Sequence, residues 1–156
     1  MQPYTAFNFL VEIVRSDAAA PLVGAAFAEC DGLEMSMEVK TLREGGANGR
    51  QVRLAGPATV GQLTLKRGMA SDSFELWQWM SDSIANPGLR AEAEVVLLAA
   101  DGGERARFVL TRCLPLKVKA PPLNGKDGAV AIEELHIAYE SITVKRGAAA
   151  ANGAEA

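Results

Sequence analysis

The chain has 156 residues, 49% hydrophobic and 22% charged, a composition that fits one ordinary folded domain with a sizeable core. A formal net charge of −3 gives no electrostatic reason to expect nucleic-acid binding. The longest apolar runs, such as residues 94–100, are too short to span a bilayer, and Met1-Gln2-Pro3-Tyr4-Thr5 lacks the basic lead into an apolar stretch that marks a Sec signal peptide. Synthesis in the cytoplasm is therefore the expectation.

In chain order, the pattern is mostly that of strands. Phe7, Phe9, Val11 and Ile13 alternate with Asn8, Leu10, Glu12 and Val14, a period of two with one strongly apolar face. The next run is stricter: Leu33, Met35, Met37 and Val39 point one way, and Glu34, Ser36, Glu38 and Lys40 the other. Such alternation predicts one buried and one wet face, as in an antiparallel sheet or barrel wall. The segment 43–61 reads as a long irregular loop, with Gly45, Gly46, Gly49, Gly56, Gly61 and Pro57 and few large apolar residues. A strand follows over 61–67.

One helix is predicted, over about 73–85. Asp72 and Glu75 resemble a capping box, Phe74, Leu76, Trp77, Met80 and Ile84 form its apolar stripe, and Asn86-Pro87-Gly88 stops it. Trp77 is then a core residue, whereas Trp79, off the stripe, is open between core and an intersubunit contact. Further strands are predicted over 91–99, 105–112, 116–119 and 130–145, with Asp101-Gly102-Gly103 as a hairpin turn. Val130 and Ile132 are out of phase with Leu135, Ile137 and Tyr139, so a β-bulge or change of face is expected at Glu133-Glu134. Residues 1–146 form the domain and 147–156, rich in Ala and Gly, a low-complexity mobile tail. Leu63-Thr64-Leu65-Lys66-Arg67-Gly68 and Ile142-Thr143-Val144-Lys145-Arg146-Gly147 are similar, which six residues explain as two strands ending alike.

Motifs that carry chemistry are missing. Cys30 and Cys113 have no metal-ligand spacing and read as buried free thiols, with a pairing between them left open. His136, the single histidine, has no neighbouring Cys or second His and reads as a polar strand position. Gly56 and Gly61 have the G-x4-G spacing of a phosphate loop, but Gln62-Leu63 stands where Lys and Ser/Thr are required. Glu92 and Glu94 fit the wet face of a strand. No catalytic, cofactor-binding or metal-ligating residue is assigned, and no cofactor is expected.

A more specific signal comes from order and spacing. The segments Ala26 to Glu34, Arg43-Glu44-Gly45-Gly46, Leu65-Lys66-Arg67-Gly68, Glu75-Leu76-Trp77-Gln78-Trp79, Arg107-Phe108, Pro115-Leu116-Lys117 and Val130 to Leu135 occur in register along residues 6–145. In this the chain resembles the contractile-phage tail-tube family, including the inner-tube proteins of extracellular contractile injection systems. It departs from the usual pattern at Leu54-Ala55-Gly56, at Cys113-Leu114-Pro115 and at Ala138-Tyr139-Glu140-Ser141.

The resemblance implies a mainly β, antiparallel sandwich or barrel with one flanking helix, the tail-tube/Hcp-like fold. It implies a structural, non-enzymatic protein that self-assembles as stacked hexameric rings around a lumen through which cargo or DNA passes. Sheath and baseplate or spike proteins would be its other partners, without membrane insertion of the subunit. The subunit would be made in a bacterial cytoplasm and end in a phage tail or released particle. Contacts between subunits or rings are placed on Arg43, Glu44, Gly45, Gly46, Asn48, Gly49, Arg50, Arg53 and Gly56, with Lys66, Arg67 and Trp79 added. Lys66 and Arg67 are equally readable as solvated strand-end charges, and Glu34 and Glu38 as an acidic lumen wall. The alternatives are a tube-initiator or baseplate-adaptor ring, motivated by the departures, and a small β-barrel ligand-binding domain or enzyme, which would need an enclosed apolar pocket with a perturbed carboxylate.

Overall fold

A computed structural model describes residues 8–22, 27–43, 51–68, 74–122, 125 and 131–147. Its elements are β1 (Phe9–Arg15), β2 (Glu29–Asp31), β3 (Met35–Arg43), β4 (Gln51–Val60), β5 (Gln62–Gly68), α1 (Glu75–Ala85), β6 (Ala91–Leu98), β7 (Glu104–Lys119), β8 (Ile132–Ala138) and β9 (Ser141–Arg146). All strand pairings are antiparallel. Seven strands form one sheet in the order β1-β6-β7-β8-β5-β2, with β9 also on β7, while β3 and β4 form a sheet of their own.

The large sheet folds over itself because β7 serves both halves. Its first part, up to Cys113, pairs with β6 and β9, and the part from Leu114 onward pairs with β8. The predicted strands 105–112 and 116–119 are therefore one strand with a corner. At that corner Arg112 adopts φ 51°, and the register against β6 slips between Ala91 and Ala93. A bulge with a left-handed residue bends a strand in this way.

Val11, Ile13, Ala93, Val95 and Leu110 from one half meet Leu63, Leu65, Leu135 and Ile137 from the other in a single core. The period-two reading of β1 holds, the strands expected over 61–67 and 91–99 are β5 and β6, and Gly102, at φ 85°, closes the β6–β7 turn as expected. No register shift occurs at Glu133-Glu134, where β8 runs straight along β5 from Ile132 to Ala138. The change of phase has another cause: Glu133 occupies an inward position, 1% exposed, in line with Leu135, Ile137 and Tyr139. A buried carboxyl group stands where a β-bulge or a change of face was expected.

The helix sits across one side of this core with a different face inward. Leu76, Trp79 and Ser83 are buried, spaced i, i+3 and i+7, while Phe74 and Ile84 of the expected stripe are exposed. Trp79 is a core residue at 0% exposure and Trp77 lies at the margin. Phase explains the reversal: seven residues separate Leu76 from Ser83, two full turns. The helix starts after Phe74 without a side-chain cap, and Asp72 of the expected capping box lies outside the described residues.

The largest departures concern residues 33–60. β3 has all nine residues exposed, Met35, Met37 and Val39 included, so its apolar face is not covered by the described residues of the protomer. Within the expected loop, residues 51–60 form the ten-residue strand β4 paired along β3. Glu44 to Arg50 lie outside the described residues, as does the tail from residue 148. Gly147, assigned to that tail, is buried and donates its N–H to Arg105 O at 3.0 Å.

Candidate functional site

The β3–β4 pair projects as an arm whose two faces are both open. Cross-strand partners share a face, so Met35 lies with Val60, Met37 with Ala58, Val39 with Ala55, and Thr41 with Arg53. The opposite face has Ser36 with Thr59, joined by a 2.7 Å hydroxyl hydrogen bond, then Lys40 with Leu54 and Leu42 with Val52. Between Met37 and Val39 the register slips by one residue on β4. Gly56 falls there, where a Cβ would come 2.7 Å from Glu38 O, so a larger residue would force the strands apart.

Met35, Met37, Val39 and Leu42 each leave more than half of their surface open, and Leu54 nearly half. An isolated two-stranded hairpin is marginal in water, and contiguous exposed apolar residues on a sheet face mark an interaction surface. Charge adds a second character. Lys40, Arg43 and Arg53 against Glu38 leave the described arm residues at +2 on a chain whose net charge is −3, so the remainder carries −5.

At its root the arm is held by the body. Gly32, at φ 98°, lies so close to β5 that a Cβ would stand 1.8 Å from Gln62 O. Gly61 N–H donates to Glu34 O at 3.0 Å, joining the two ends of the arm. The buried Tyr139 phenol donates to Gly32 O at 2.7 Å and accepts from Glu34 N–H at 3.2 Å. Above this junction an open groove of about 730 Å3 separates the arm from the β8–β9 turn, lined by Met35, Met37, Val60, Glu140 and Ile142 among others.

The other residues singled out from the sequence fall in different places. Arg43 and Arg53 are exposed on the arm and Gly56 is half-buried within it. Lys66 lies on the outer face of β5, 3.5 Å from Glu29 and 3.7 Å from Glu134, in pairs that high dielectric makes weak. Arg67 and Trp79 are interior to the protomer, which corrects their placement among contact residues.

Arg67, at 7% exposure, donates from Nε to Glu133 Oε1 at 2.5 Å, lies 3.6 Å from Glu75 and stacks 5.6 Å from the Phe27 ring centre. Glu133 also accepts from Trp77 Nε1 at 3.3 Å, which ties the helix to β8. This network was not found from the sequence. Its signal was Glu133 in phase with Leu135 and Ile137.

No group of three His, Cys, Asp or Glu side chains suited to a metal ion occurs among the described residues. His136 Nε2 lies 3.5 Å from Glu134, whose carboxyl His136 holds below its ordinary range, and Nδ1 lies 3.5 Å from Thr64 Oγ1. Burial pushes the Cys30 thiol up to about 11 and that of Cys113 to about 12, and both thiols are free. No described helix is long and apolar enough to cross a membrane.

The arrangement is similar to several solved structures. A chain of the six-fold symmetrised baseplate of the anti-feeding prophage is 25% identical, over 94% of this chain and 97% of that one, with a TM-score of 0.82. A chain of the extended sheath–tube complex of the PVC extracellular contractile injection system is 17% identical over 92% of both, with a TM-score of 0.79. Hcp1 from Flavobacterium johnsoniae is 17% identical, over 88% of this chain and 96% of that one, at 0.50. No curated protein sequence matches the chain. The family model described as T4-like virus tail tube protein gp19 matches residues 5–143, nearly the whole domain. With that match, the chain belongs to the gp19 tail tube family of structural, non-enzymatic proteins.

Proposed function

We propose that this chain is an inner-tube subunit of a contractile tail or injection particle, and that copies meet through the β3–β4 arm to close hexameric rings and stack them. The observation that carries the reading is the arm itself: large apolar side chains on both faces, which the described residues of the body do not cover. A surface that is not self-complementary joins heterologously, closing into a ring in one direction and propagating in another. The +2 arm on an otherwise acidic chain favours a second copy as the occupant. On this reading Arg43, Arg53 and Gly56 belong to the contact, with Glu44, Gly45, Gly46, Asn48, Gly49 and Arg50 in the segment that links the two strands. Sheath and baseplate or spike proteins cover other surfaces, and cargo or DNA passes through the bore. Glu34 and Glu38 are both exposed, as an acidic lumen wall requires.

A second reading, a tube-initiator or baseplate-adaptor ring, is favoured by one observation. Identity to the chain in the anti-feeding prophage baseplate is 25%, against 17% to the chain in the sheath–tube complex. Such a ring would close but not stack on itself, and would co-assemble with a spike protein.

Negative-stain microscopy of the purified chain tests both. The wild type gives rings or tubes, and Met37→Glu or Val39→Glu disperses them while leaving protomer stability within about 0.5 kcal/mol, as for other exposed substitutions. Normal assembly of both variants, or a wild type that stays monomeric at high concentration, overturns the proposal.

A further inference from the structure

We infer that Tyr139 is a positioning residue: its phenol fixes the direction in which the β3–β4 arm leaves the body, and so presents the arm ready to dock. Position 139 lies in one of the segments that depart from the usual family pattern, and among the described residues its hydroxyl bonds only the arm's root. Tyr139 is 4% exposed, with its ring in the core cluster and its oxygen aimed outward at the arm's root. There the one oxygen satisfies two backbone groups on either side of Leu33: it donates to Gly32 O and accepts from Glu34 N–H. Glu34 O in turn receives Gly61 N–H, so both strands of the arm are referred to the same phenol.

The base of this clamp is itself hydrogen-bonded to the body. Glu140 N–H donates to Thr111 O at 3.0 Å, the Thr111 and Ser141 hydroxyls are hydrogen-bonded, and Arg112 Nε meets Glu140 at 2.5 Å. Thus the turn that carries Tyr139 is pinned to the corner of β7. Beyond the root the arm meets little else among the described residues, because the groove of about 730 Å3 opens between Met35, Met37 and the turn at Glu140-Ser141. Small rotations at Leu33 and Gly61 would swing the whole arm. At a rise of about 3.3 Å per residue, nine-residue β3 is about 30 Å long, so a rotation of about 20° at the root displaces its end by about 10 Å. Fixing a binding element in its bound direction lowers the ordering cost of association.

The functional part of this inference rests on the arm being the contact between copies; the positional part does not. Tyr139→Phe keeps the buried ring and removes only the hydroxyl. Spin labels on Arg53→Cys and Asp101→Cys, with Cys30 and Cys113 changed to Ser, report the arm-to-body distance by pulsed electron resonance in dispersed protomers. The expected result is a narrow distribution with Tyr139 and one at least twice as broad in the Tyr139→Phe variant. Assembly at matched concentration then slows at least tenfold, while the thermal midpoint of the protomer moves by no more than a few degrees. An equally narrow distribution in the variant overturns the inference whatever assembly does. A broad distribution with wild-type assembly overturns the claim that arm direction serves docking. If Met37→Glu assembles normally, the arm is not the contact, yet the distance measurement still decides what Tyr139 holds.

Discussion

Replacing Glu133 by Ala should be among the most damaging single changes to the folded protomer, and the structure fixes why. The carboxylate is 1% exposed, accepts from Arg67 at 2.5 Å and from Trp77 at 3.3 Å, and is shut off from the bulk water that could replace those donors. Removing it leaves the Arg67 guanidinium buried, with Glu75 at 3.6 Å as a poor substitute and the Phe27 ring at 5.6 Å as a weak one. Breaking one side of a buried pair costs about 3–5 kcal/mol, and the residual partners place this case near 3 kcal/mol. For a chain of this size that corresponds to a fall of about 6–12 °C in the thermal midpoint. Taking both charges away is a different perturbation. In Arg67→Met/Glu133→Leu no charge is stranded, and most of the loss should return. Urea unfolding of dispersed protomers is the assay, since assembly would add its own stabilisation. A loss below about 1 kcal/mol for Glu133→Ala, or a double variant as damaged as the sum of its singles, would refute the argument.

Three further outcomes follow from the same geometry. Gly32→Ala forces a Cβ into Gln62 O at φ 98° and should cost about 2 kcal/mol or more, read as a lowered urea midpoint; a neutral result would mean that the β2–β3 junction relaxes freely. Cys113, with its thiol pushed up to about 12 by burial, should resist alkylation at pH 8 until the chain unfolds, and rapid native-state labelling would contradict its placement. Asp82, held down chiefly by the Arg15 hydrogen bond, and Glu134, held down by His136, stay ionised in the folded chain where the unfolded chain takes up protons. Their contribution is therefore complete above about pH 5 and lost on acidification below it, so Asp82→Asn with Glu134→Gln should flatten stability against pH between about 5 and 2, and an unchanged slope would count against it.

What was legible in the sequence is the part whose apolar faces are satisfied within one chain. β1, β5 and β6 show period-two patterns because their inward residues meet the core, and Asp101-Gly102-Gly103 reads as a turn because Gly102 needs a positive φ. β3 shows the same pattern, but alternation records only that one face is apolar, and says nothing of whether the covering surface is in the same molecule. β4 was hidden for the opposite reason, since Gly56, Pro57 and Ala58 have low strand propensity and are held by pairing with β3. In the helix, Trp77 and Trp79 are two residues apart, and both phases offered an apolar stripe. Arg67 looked like a strand-end charge because its partner Glu133 is 66 residues away. Of the residues assigned to contacts, Arg43, Arg53 and Gly56 lie on the projecting arm, whereas Arg67 and Trp79 serve the core.

Electron cryo-microscopy of the assembled wild-type chain tests the central claim most directly. Rings whose neighbouring subunits cover Met37 and Val39 on one face of the arm, and Leu42 and Leu54 on the other, are the expected result. Rings in which both faces of the arm remain open to solvent would contradict it.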